Sequence, residues 1–401
     1  MFFIKVLFIH NYYQQSGGED KVVQQEMDLL KSRSIEVNLY SVHNDSIKER
    51  GLIGKARLGM ETIWSYSEFT RLKQYLLKNK PDVVHIHNFF PILSPAVYYA
   101  CSKLKIPVVQ TLHNYRLLCP SAMFMRENKI CESCLKGSLF NSIKHGCYRD
   151  SKIQTIPIAS MITFNRIIGT WNNKVNRYIA LTNFAKDKFV EGGIPEDKLV
   201  VKPNFLEQKA VEVDINEKYL LFVGRISKEK GVHNLLRSWK QLRNKNNTKL
   251  IIIGDGPEKS NLEKEYISGD IKFLGNQETK TVLAYMKSAK YLVVPSIWYE
   301  GFPMTIVESF SVGTPVICSN IGSLQEVVED GITGFHFNNK DSRHLTTILE
   351  KALNYDQYEL MKTNVFSKFE KNYTPEVNYN QLINIYRDVI KEMEHESPSG
   401  N

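Results

Sequence analysis

Short apolar runs alternate with amphipathic stretches along most of the chain. Each apolar run is typical of a strand buried on both faces, and a helical pattern such as Lys21–Lys31 follows or precedes it. This alternation predicts parallel β-sheets with crossover helices. In the first half the predicted strands are Val6–Ile9, Val37–Tyr40, Val83–Ile86, Val108–Thr111, Tyr178–Leu181 and Leu199–Lys202.

The same pattern restarts after a polar connection near Asn204–Asn216. We therefore predict two Rossmann-like α/β domains, residues 1–208 and 209–375, whose ligands lie in a cleft at the carboxyl ends of the strands. An amphipathic helix is predicted over 376–396, and the tail after it is expected to fray. The second set of strands is Leu220–Val223, Leu250–Ile253, Ile271–Leu274, Tyr291–Val294 and Pro315–Cys318. The helices between them are Gly231–Asn244, Lys259–Ser268, Thr279–Ser288 and Met304–Val312.

Composition agrees with a globular chain. Its 401 residues are 42% hydrophobic and 24% charged, and no apolar run approaches the roughly 20 residues that span a bilayer. The N-terminal apolar run is short and Lys5 interrupts it, so it predicts a strand rather than a signal peptide. We expect a cytoplasmic protein with reduced cysteines.

Positive charge is concentrated in the first half. The net charge is +9, and residues 51–180 carry 18 basic against 6 acidic side chains. Within them, the basic amphipathic stretch Gly51–Lys80 fits either a core-facing helix or a contact with an anionic membrane surface. Three interpretations of the whole basic region stay open. It is a solvated basic face, it binds the inner face of the plasma membrane, or it binds a phosphate-bearing acceptor. No nucleic-acid-binding module is recognisable.

Two glutamates flank a predicted helix start in the second half. Glu300 follows the Tyr291–Val294 strand, and Glu308 lies eight residues later on the helix. The backbone N–H groups of Met304 and Thr305, at the helix start, suit a phosphate. Carboxylates that bind a polyol and amides that bind a diphosphate together predict a nucleotide-sugar site.

Basic residues and glycines follow the neighbouring strands. Arg225 and Lys230 lie on the loop after Leu220–Val223, where they can bind a diphosphate and stabilise it as it leaves; the alternative is a solvated loop. Gly256 follows the next strand and would let backbone approach a ligand. In the first half, Gly17 and Gly18 precede a helix whose amides could meet a phosphate.

Histidines and cysteines are the remaining candidates. His113 ends the Val108–Thr111 strand, where it could donate to a sugar hydroxyl or position an acceptor, and His87 is a weaker candidate beside it. Cysteines at four spaced positions predict a structural zinc site that fastens an insertion over residues 115–150, with an iron–sulfur cluster or packed thiols as alternatives. They are Cys119, Cys131, Cys134 and Cys147.

Taken together, these motifs resemble the family-4 retaining glycosyltransferases of the GT-B fold. The likeness extends through Gly313–Ile317 and Glu326–Phe335. It implies transfer of a sugar, with retention and without a catalytic metal or other cofactor, from a nucleotide-diphosphate sugar to a glycan or polyprenyl-diphosphate-linked glycan. The four-cysteine insertion resembles that of a subset of bacterial polysaccharide-assembly enzymes.

The resemblance also implies roles for individual residues. Glu300 would contact the donor sugar hydroxyls, and Glu308 would hold the ribose. Arg225 and Lys230 would neutralise the departing diphosphate, while His113 would lie at the reaction centre. The terminal helix would cross back onto the N-terminal domain. Two other functions stay open: a nucleotide-sugar epimerase of the same fold, and a nucleotide-sugar-binding protein without activity.

Overall fold

The computed structural model of the protein describes residues 4–14, 17–49, 51–208, 210–212, 215 and 217–396. The chain folds into two compact units. The first comprises the residues up to Phe124, Cys131–Pro203 and the chain from Asn378 onward, and the second comprises Met125–Ile130 and Asn204–Val377. The predicted frayed tail, residues 397–401, lies outside the described residues.

The first unit is built on a six-stranded parallel sheet with the order β2-β1-β3-β4-β7-β8. The strands up to residue 203 are β1 Lys5–Tyr12, β2 Glu36–His43, β3 Val83–Asn88, β4 Val108–Leu112, β5 Met125–Arg126, β6 Lys129–Ile130, β7 Arg177–Ala180 and β8 Leu199–Val201. The α-helices of this part are α1 Gly18–Ser32, α2 Leu52–Ile63, α3 Tyr66–Asn79, α4 Ala96–Lys103, α5 Ser133–Lys136, α6 Phe140–His145, α7 Lys152–Ile167, α8 Thr170–Asn173 and α9 Asn183–Glu191. The antiparallel hairpin β5–β6 belongs to the second unit.

The second unit has a six-stranded parallel sheet with the order β11-β10-β9-β12-β13-β14. This is the Rossmann order, in which the chain reverses direction across the sheet between its first and fourth strands. The strands are β9 Tyr219–Val223, β10 Lys249–Ile253, β11 Ile271–Gly275, β12 Tyr291–Val294, β13 Val316–Ser319 and β14 Gly334–Phe337. The helices are α10 Val232–Gln241, α11 Lys259–Tyr266, α12 Thr279–Ser288, α13 Met304–Ser311, α14 Gly322–Val327, α15 Ser342–Leu353 and α16 Tyr358–Asn372. The last helix, α17 Pro375–Glu396, belongs to the first unit from Asn378 onward. Short 3₁₀ turns lie at Asn44–Ile47, Glu196–Lys198 and Lys228–Lys230.

The terminal helix α17 completes the core of the first unit. Its residues Leu382, Tyr386 and Val389 are fully buried in one apolar cluster with Val6 and Phe8 of β1. Burying side chains of this size stabilises the folded chain by about 1.5–3 kcal/mol each. The predicted return of the last helix to the N-terminal domain is therefore confirmed.

The predicted strands are all present, and the two doubly wound parallel sheets confirm the predicted fold class. Strand β14 is missing from the prediction, because its short sequence Gly-Phe-His-Phe has no continuous apolar run. The amphipathic stretch Gly51–Lys80 is two helices rather than one. Ser65 separates them, since its side chain accepts a hydrogen bond from the Glu68 N–H and so caps the start of α3.

Candidate functional site

The point where the second sheet reverses direction carries the predicted basic and acidic residues. Arg225 and Lys230 lie on the loop after β9, and Glu300 follows the adjacent strand β12. Ligands of open α/β sheets bind at this position because two loops diverge there. Arg225 is exposed, whereas the Glu300 side chain is only 7% exposed.

Gly231 brings these two loops into contact. It has a φ of +69°, and a Cβ there would overlap the carbonyl oxygen of Pro295, just after β12. The Ile297 N–H also donates to the Glu229 carbonyl across the same gap, at 2.9 Å. Only glycine combines this backbone conformation with so close an approach. The loop that carries Lys230 is thereby held against the loop that leads to Glu300.

The Glu300 carboxylate is oriented through a single oxygen. Its Oε1 accepts hydrogen bonds from Lys230 Nζ at 2.7 Å, Ser296 Oγ at 2.6 Å and Trp298 Nε1 at 3.1 Å. Bonds to an ionised group are stronger than neutral ones, and three donors together fix the plane of the carboxylate. Because all three bonds go to Oε1, Oε2 keeps its acceptor capacity for a hydroxyl-bearing ligand.

The loop after β10 packs beside this pair of loops. The Ile226 N–H donates to the Asp255 carbonyl at 2.9 Å, and a Cβ at Gly256 would overlap the Ile226 carbonyl oxygen. Gly256 is therefore needed for packing between loops within the protein. Its predicted role at a ligand stays a prediction.

Helix α13 begins at Met304, three residues after Gly301, and has no side chain capping its start. Pro303 is its N-cap residue and supplies no side-chain hydrogen bond. The first amides of a helix lack partners within it, so the N–H groups of Met304 and Thr305 are suited to an anion. Glu308 lies half-buried on the second turn of the same helix.

In the first unit, His113 directly follows β4 and is joined to β3. Its Nε2 lies 2.9 Å from Nδ1 of His87, and the two rings are stacked with centroids 5.2 Å apart. Burial lowers the pKa of His113 to about 3, with smaller contributions from the His10 and Lys202 charges. The ring is therefore neutral at physiological pH, and it lines a pocket formed by residues at the ends of β3 and β4.

The Gly17-Gly18 turn is partly occupied by a side chain of its own helix. The Gly17 N–H donates to Asp20 Oδ2 at 3.0 Å, so this amide is already bonded. A Cβ at Gly17 or Gly18 would meet no atom within 4 Å, so packing inside the protein does not require either glycine. Their predicted contact with a phosphate stays a prediction.

Glu19 connects this turn to the loop that follows His113. Its Oε2 accepts hydrogen bonds from Tyr13 Oη at 3.2 Å and Asn114 Nδ2 at 3.4 Å. Burial raises the pKa of Glu19 to about 8, and the neighbouring Asp20 carboxylate adds to the shift. The sequence did not indicate this raised pKa. Glu19 and Asp20 are two adjacent acidic residues at the start of a helix, and the pKa shift depends on the packing around Glu19.

The four cysteines of the insertion are free thiols that share one neighbourhood. Burial, together with the neighbouring Cys119, Cys147 and Cys131, raises the pKa of the Cys134 thiol to about 12. Four such groups are the donor set of a tetrahedral zinc site. In the described part of the chain, however, a set of three or more His, Cys, Asp or Glu ligand atoms within 4.8 Å of one another occurs at Glu26, His85 and His87, and not at the cysteines. The zinc site stays a prediction.

No helix in the described ranges is both long and apolar enough to cross a membrane.

Comparison with known proteins gives two family matches in tandem. Residues 16–208 match the Glycosyltransferase Family 4 model, and residues 205–368 match the Glycosyl transferases group 1 model. The chain is 22% identical to an uncharacterized glycosyltransferase of Methanocaldococcus jannaschii over 327 residues, which is 79% of this chain and 77% of the relative. It is 32% identical to the lipopolysaccharide 1,2-N-acetylglucosaminetransferase of Salmonella typhimurium over 192 residues, or 44% and 48% of the two chains.

Among solved structures, the chain resembles Anabaena Alr3699/HepE in complex with UDP. The TM-score is 0.67 at 16% identity, with 95% of this chain and 99% of that chain covered. This likeness establishes the GT-B fold, which the two parallel sheets already indicate. The chain is a glycosyltransferase, built from a family 4 domain followed by a group 1 domain.

Proposed function

We propose that the protein is a retaining glycosyltransferase that moves a sugar from a nucleotide-diphosphate sugar to a glycan or lipid-linked glycan, in cell-surface polysaccharide biosynthesis. The observation that carries the proposal is the Glu300 carboxylate, oriented by Lys230 at the reversal point of the second sheet, with Arg225 exposed on the same loop as Lys230. The Salmonella relative acts on lipopolysaccharide, which supports a cell-surface glycan as the product class.

The donor would be bound mainly by the second unit. Oε2 of Glu300 would accept from the sugar hydroxyls, and Glu308 would hold the ribose. The amides of Met304 and Thr305 and the Arg225 guanidinium would bind the diphosphate, and Gly256 would keep backbone close to it. Lys230 would place positive charge beside both the diphosphate and Glu300. A uridine nucleotide is the first choice of donor to test, because the Anabaena neighbour binds UDP.

Cleavage needs positive charge at the leaving diphosphate. Two fixed cations can stabilise that charge as it develops, without a metal ion. Retention by double displacement would need a nucleophile on the opposite face of the sugar. No sequence motif of the chain indicates that nucleophile, so we favour attack by the acceptor on the same face, assisted by the departing phosphate. His113 would contact the donor sugar at the reaction centre.

The first unit offers a surface for a membrane-linked acceptor. Ile53 of α2 is 88% exposed and Ile153 of α7 is 81% exposed. The two helices pack against each other where Gly59 meets Pro157, and exposed Lys55 lies on α2 as well. Apolar side chains among basic ones favour binding at an anionic lipid surface. This supports a polyprenyl-diphosphate-linked acceptor and peripheral binding at the inner face of the membrane.

A donor screen tests the proposal. Purified protein is incubated with UDP-, GDP- and ADP-sugars, with and without lipid-linked acceptors, and released nucleotide is measured. We expect one donor class to be consumed in an acceptor-dependent way, and NMR of the product to show the anomeric configuration of the donor. Donor conversion to another sugar without acceptor would establish an epimerase instead. Binding without turnover over all acceptors would establish an inactive binding protein.

A further inference from the structure

A row of buried polar side chains leads from helix α1 to His113. Oε2 of Glu26 lies 3.5 Å from Nε2 of His87, and Nδ1 of His87 lies 2.9 Å from Nε2 of His113. The side chains of Glu26 and His87 are completely buried. Neither Glu26 Oε2 nor His87 Nε2 makes a hydrogen bond at normal distance, so the 3.5 Å approach of these two atoms is the polar contact that the structure gives His87 Nε2.

Lys202 fixes the charge of this row. Its Nζ lies 2.7 Å from the other oxygen of Glu26, and both side chains are fully buried. A buried ammonium in contact with a carboxylate keeps the pair ionised, because separating them would leave an uncompensated charge. The same ammonium accounts for the close set of Glu26, His85 and His87 without a metal ion, since it already supplies the positive charge.

The histidines in the row are neutral. Burial lowers the pKa of His87 well below its ordinary value, with smaller contributions from its histidine neighbours, and burial also lowers that of His113. A neutral imidazole has one N–H donor and one acceptor nitrogen. A carboxylate can only accept, so the proton of His87 belongs on Nε2, facing Glu26. Nδ1 of His87 is then an acceptor, which requires the proton of His113 to be on Nε2.

We infer that Glu26 is a positioning residue that sets the tautomer of His113 through His87, so that His113 Nδ1 accepts a hydrogen bond from a substrate hydroxyl. This deepens the proposed function and rests on it for the identity of the hydroxyl, which belongs to the donor sugar. It also revises the sequence-based expectation that His113 donates to a sugar hydroxyl. A hydroxyl can donate to a ring nitrogen as well as accept from it, so the tautomer decides which substrate groups fit.

A second buried pair lies near this row but is separate from it. His10 Nε2 is 2.7 Å from Asp20 Oδ1, and the His10 ring lies 6.5 Å from that of His87. His85 is also bonded elsewhere, to Tyr386 Oη at 2.7 Å and Thr111 Oγ1 at 2.8 Å. The Tyr386 bond therefore offers a matched control within the same buried region.

The test reads the tautomer directly, without substrate. Full-length protein labelled with ¹⁵N-histidine is studied by long-range ¹H–¹⁵N correlation, and His113 is identified by the signals lost in His113→Gln. We expect the proton of His113 on Nε2 in the wild type. In Glu26→Gln we expect Lys202 to keep its hydrogen bond to the side-chain amide oxygen, so that the amide NH₂ faces His87. The tautomers of His87 and His113 then both reverse, and the His113 proton moves to Nδ1. Tyr386→Phe should leave His113 unchanged.

Two results would overturn the inference: a wild-type His113 protonated on Nδ1, or a folded Glu26→Gln variant whose His113 spectrum matches the wild type. If Glu26→Gln does not fold, His87→Phe replaces it. That variant keeps the Glu26–Lys202 pair and removes the group that selects the tautomer, so His113 must then populate both forms; retention of the Nε2–H form alone would equally overturn the inference.

Measurements of activity distinguish a failure of this inference from a failure of the proposed function. Loss of one well-placed hydrogen bond to the donor predicts a kcat/KM about 3- to 10-fold lower in Glu26→Gln. If the tautomers are as expected but the protein consumes no nucleotide sugar, the proposed function alone is refuted. Wild-type tautomers and kcat/KM in folded Glu26→Gln, with the donor consumed normally, would refute the positioning role alone.

Discussion

Lys230 Nζ lies 2.7 Å from Oε1 of Glu300, so two of the predicted site residues of the second unit form an ion pair. The sequence analysis gave them separate tasks, one at the diphosphate and one at the sugar. Their contact joins the tasks, because a ligand phosphate that attracts Lys230 also acts on the orientation of Glu300. Ser296 and Trp298 hold the same oxygen and keep the carboxylate in place.

Gly231 should be indispensable for this arrangement. Gly231→Ala would place a Cβ against the Pro295 carbonyl in a backbone conformation that alanine disfavours, and so would push the Lys230 loop away from Glu300. We expect turnover to fall at least about tenfold and the melting temperature to drop, since strained backbone costs roughly 1–3 kcal/mol. Steady-state kinetics and thermal unfolding measure both. Gly269→Ala is the control, because a Cβ there meets no atom within 4 Å; equal behaviour of the two variants would contradict the account.

Glu19 should make stability depend on pH. Its pKa is raised from the ordinary value of 4.5 to about 8 in the folded chain, so the folded state holds this proton more tightly than the unfolded state. Between those values the unfolded state loses the proton first, and the free energy of unfolding falls as pH rises. Replacing Glu19 with Gln removes this term. We therefore expect Glu19→Gln to gain stability relative to the wild type between pH 5 and pH 8 in thermal unfolding; parallel curves would argue against the buried carboxyl.

The cysteines predict a bound metal that elemental analysis can detect. We expect one zinc per chain in protein purified without chelator, and its loss in Cys134→Ser, since three thiolates do not complete a closed structural site. Cys101→Ser is the matched control, because Cys101 is a buried thiol of α4, outside the four-cysteine insertion. Protein free of both zinc and iron would eliminate the metal and leave four packed thiols.

Exposed isoleucines on α2 and α7 should contribute to membrane binding. Substituting Ile53 and Ile153 by Gln removes apolar surface that a lipid boundary would bury, and each side chain is worth about 1.5–3 kcal/mol when fully buried. We expect the double variant to co-sediment with vesicles of phosphatidylglycerol and phosphatidylcholine at least about tenfold less than the wild type. Ile267→Gln is the control, since Ile267 is 60% exposed in the second unit. Unchanged binding of the double variant would reject this surface.

The fold, and the positions of the candidate site residues on it, were predictable from the sequence for one physical reason. A strand that is buried on both faces of a sheet has a continuous apolar sequence. The residues just after such a sequence lie at the carboxyl edge of a parallel sheet. Arg225, Lys230 and Glu300 were found in this way. Strand β14 was missed because Gly334 and His336 interrupt its apolar pattern.

The polar network inside the first unit could not be predicted. Glu26 and Lys202 are 176 residues apart, and charged residues are ordinarily exposed, so neither suggests a buried pair. The three donors to Glu300 Oε1 likewise depend on the path of a loop that no periodicity describes. Such contacts follow from the folded backbone, which brings together residues whose sequence neighbours are unremarkable.

The most direct test of the central claim is nucleotide-sugar turnover by the wild type, Glu300→Gln and Lys230→Ala, with Lys245→Ala as the control. Lys245 forms an ion pair with Asp270 at 2.6 Å in the same unit, away from the reversal point. Loss of a charge-assisted bond worth about 1.5–3 kcal/mol predicts that both site variants turn over roughly 10- to 150-fold more slowly, while Lys245→Ala stays near the wild type. Wild-type turnover in both site variants would contradict the claim that this ion pair forms the donor site.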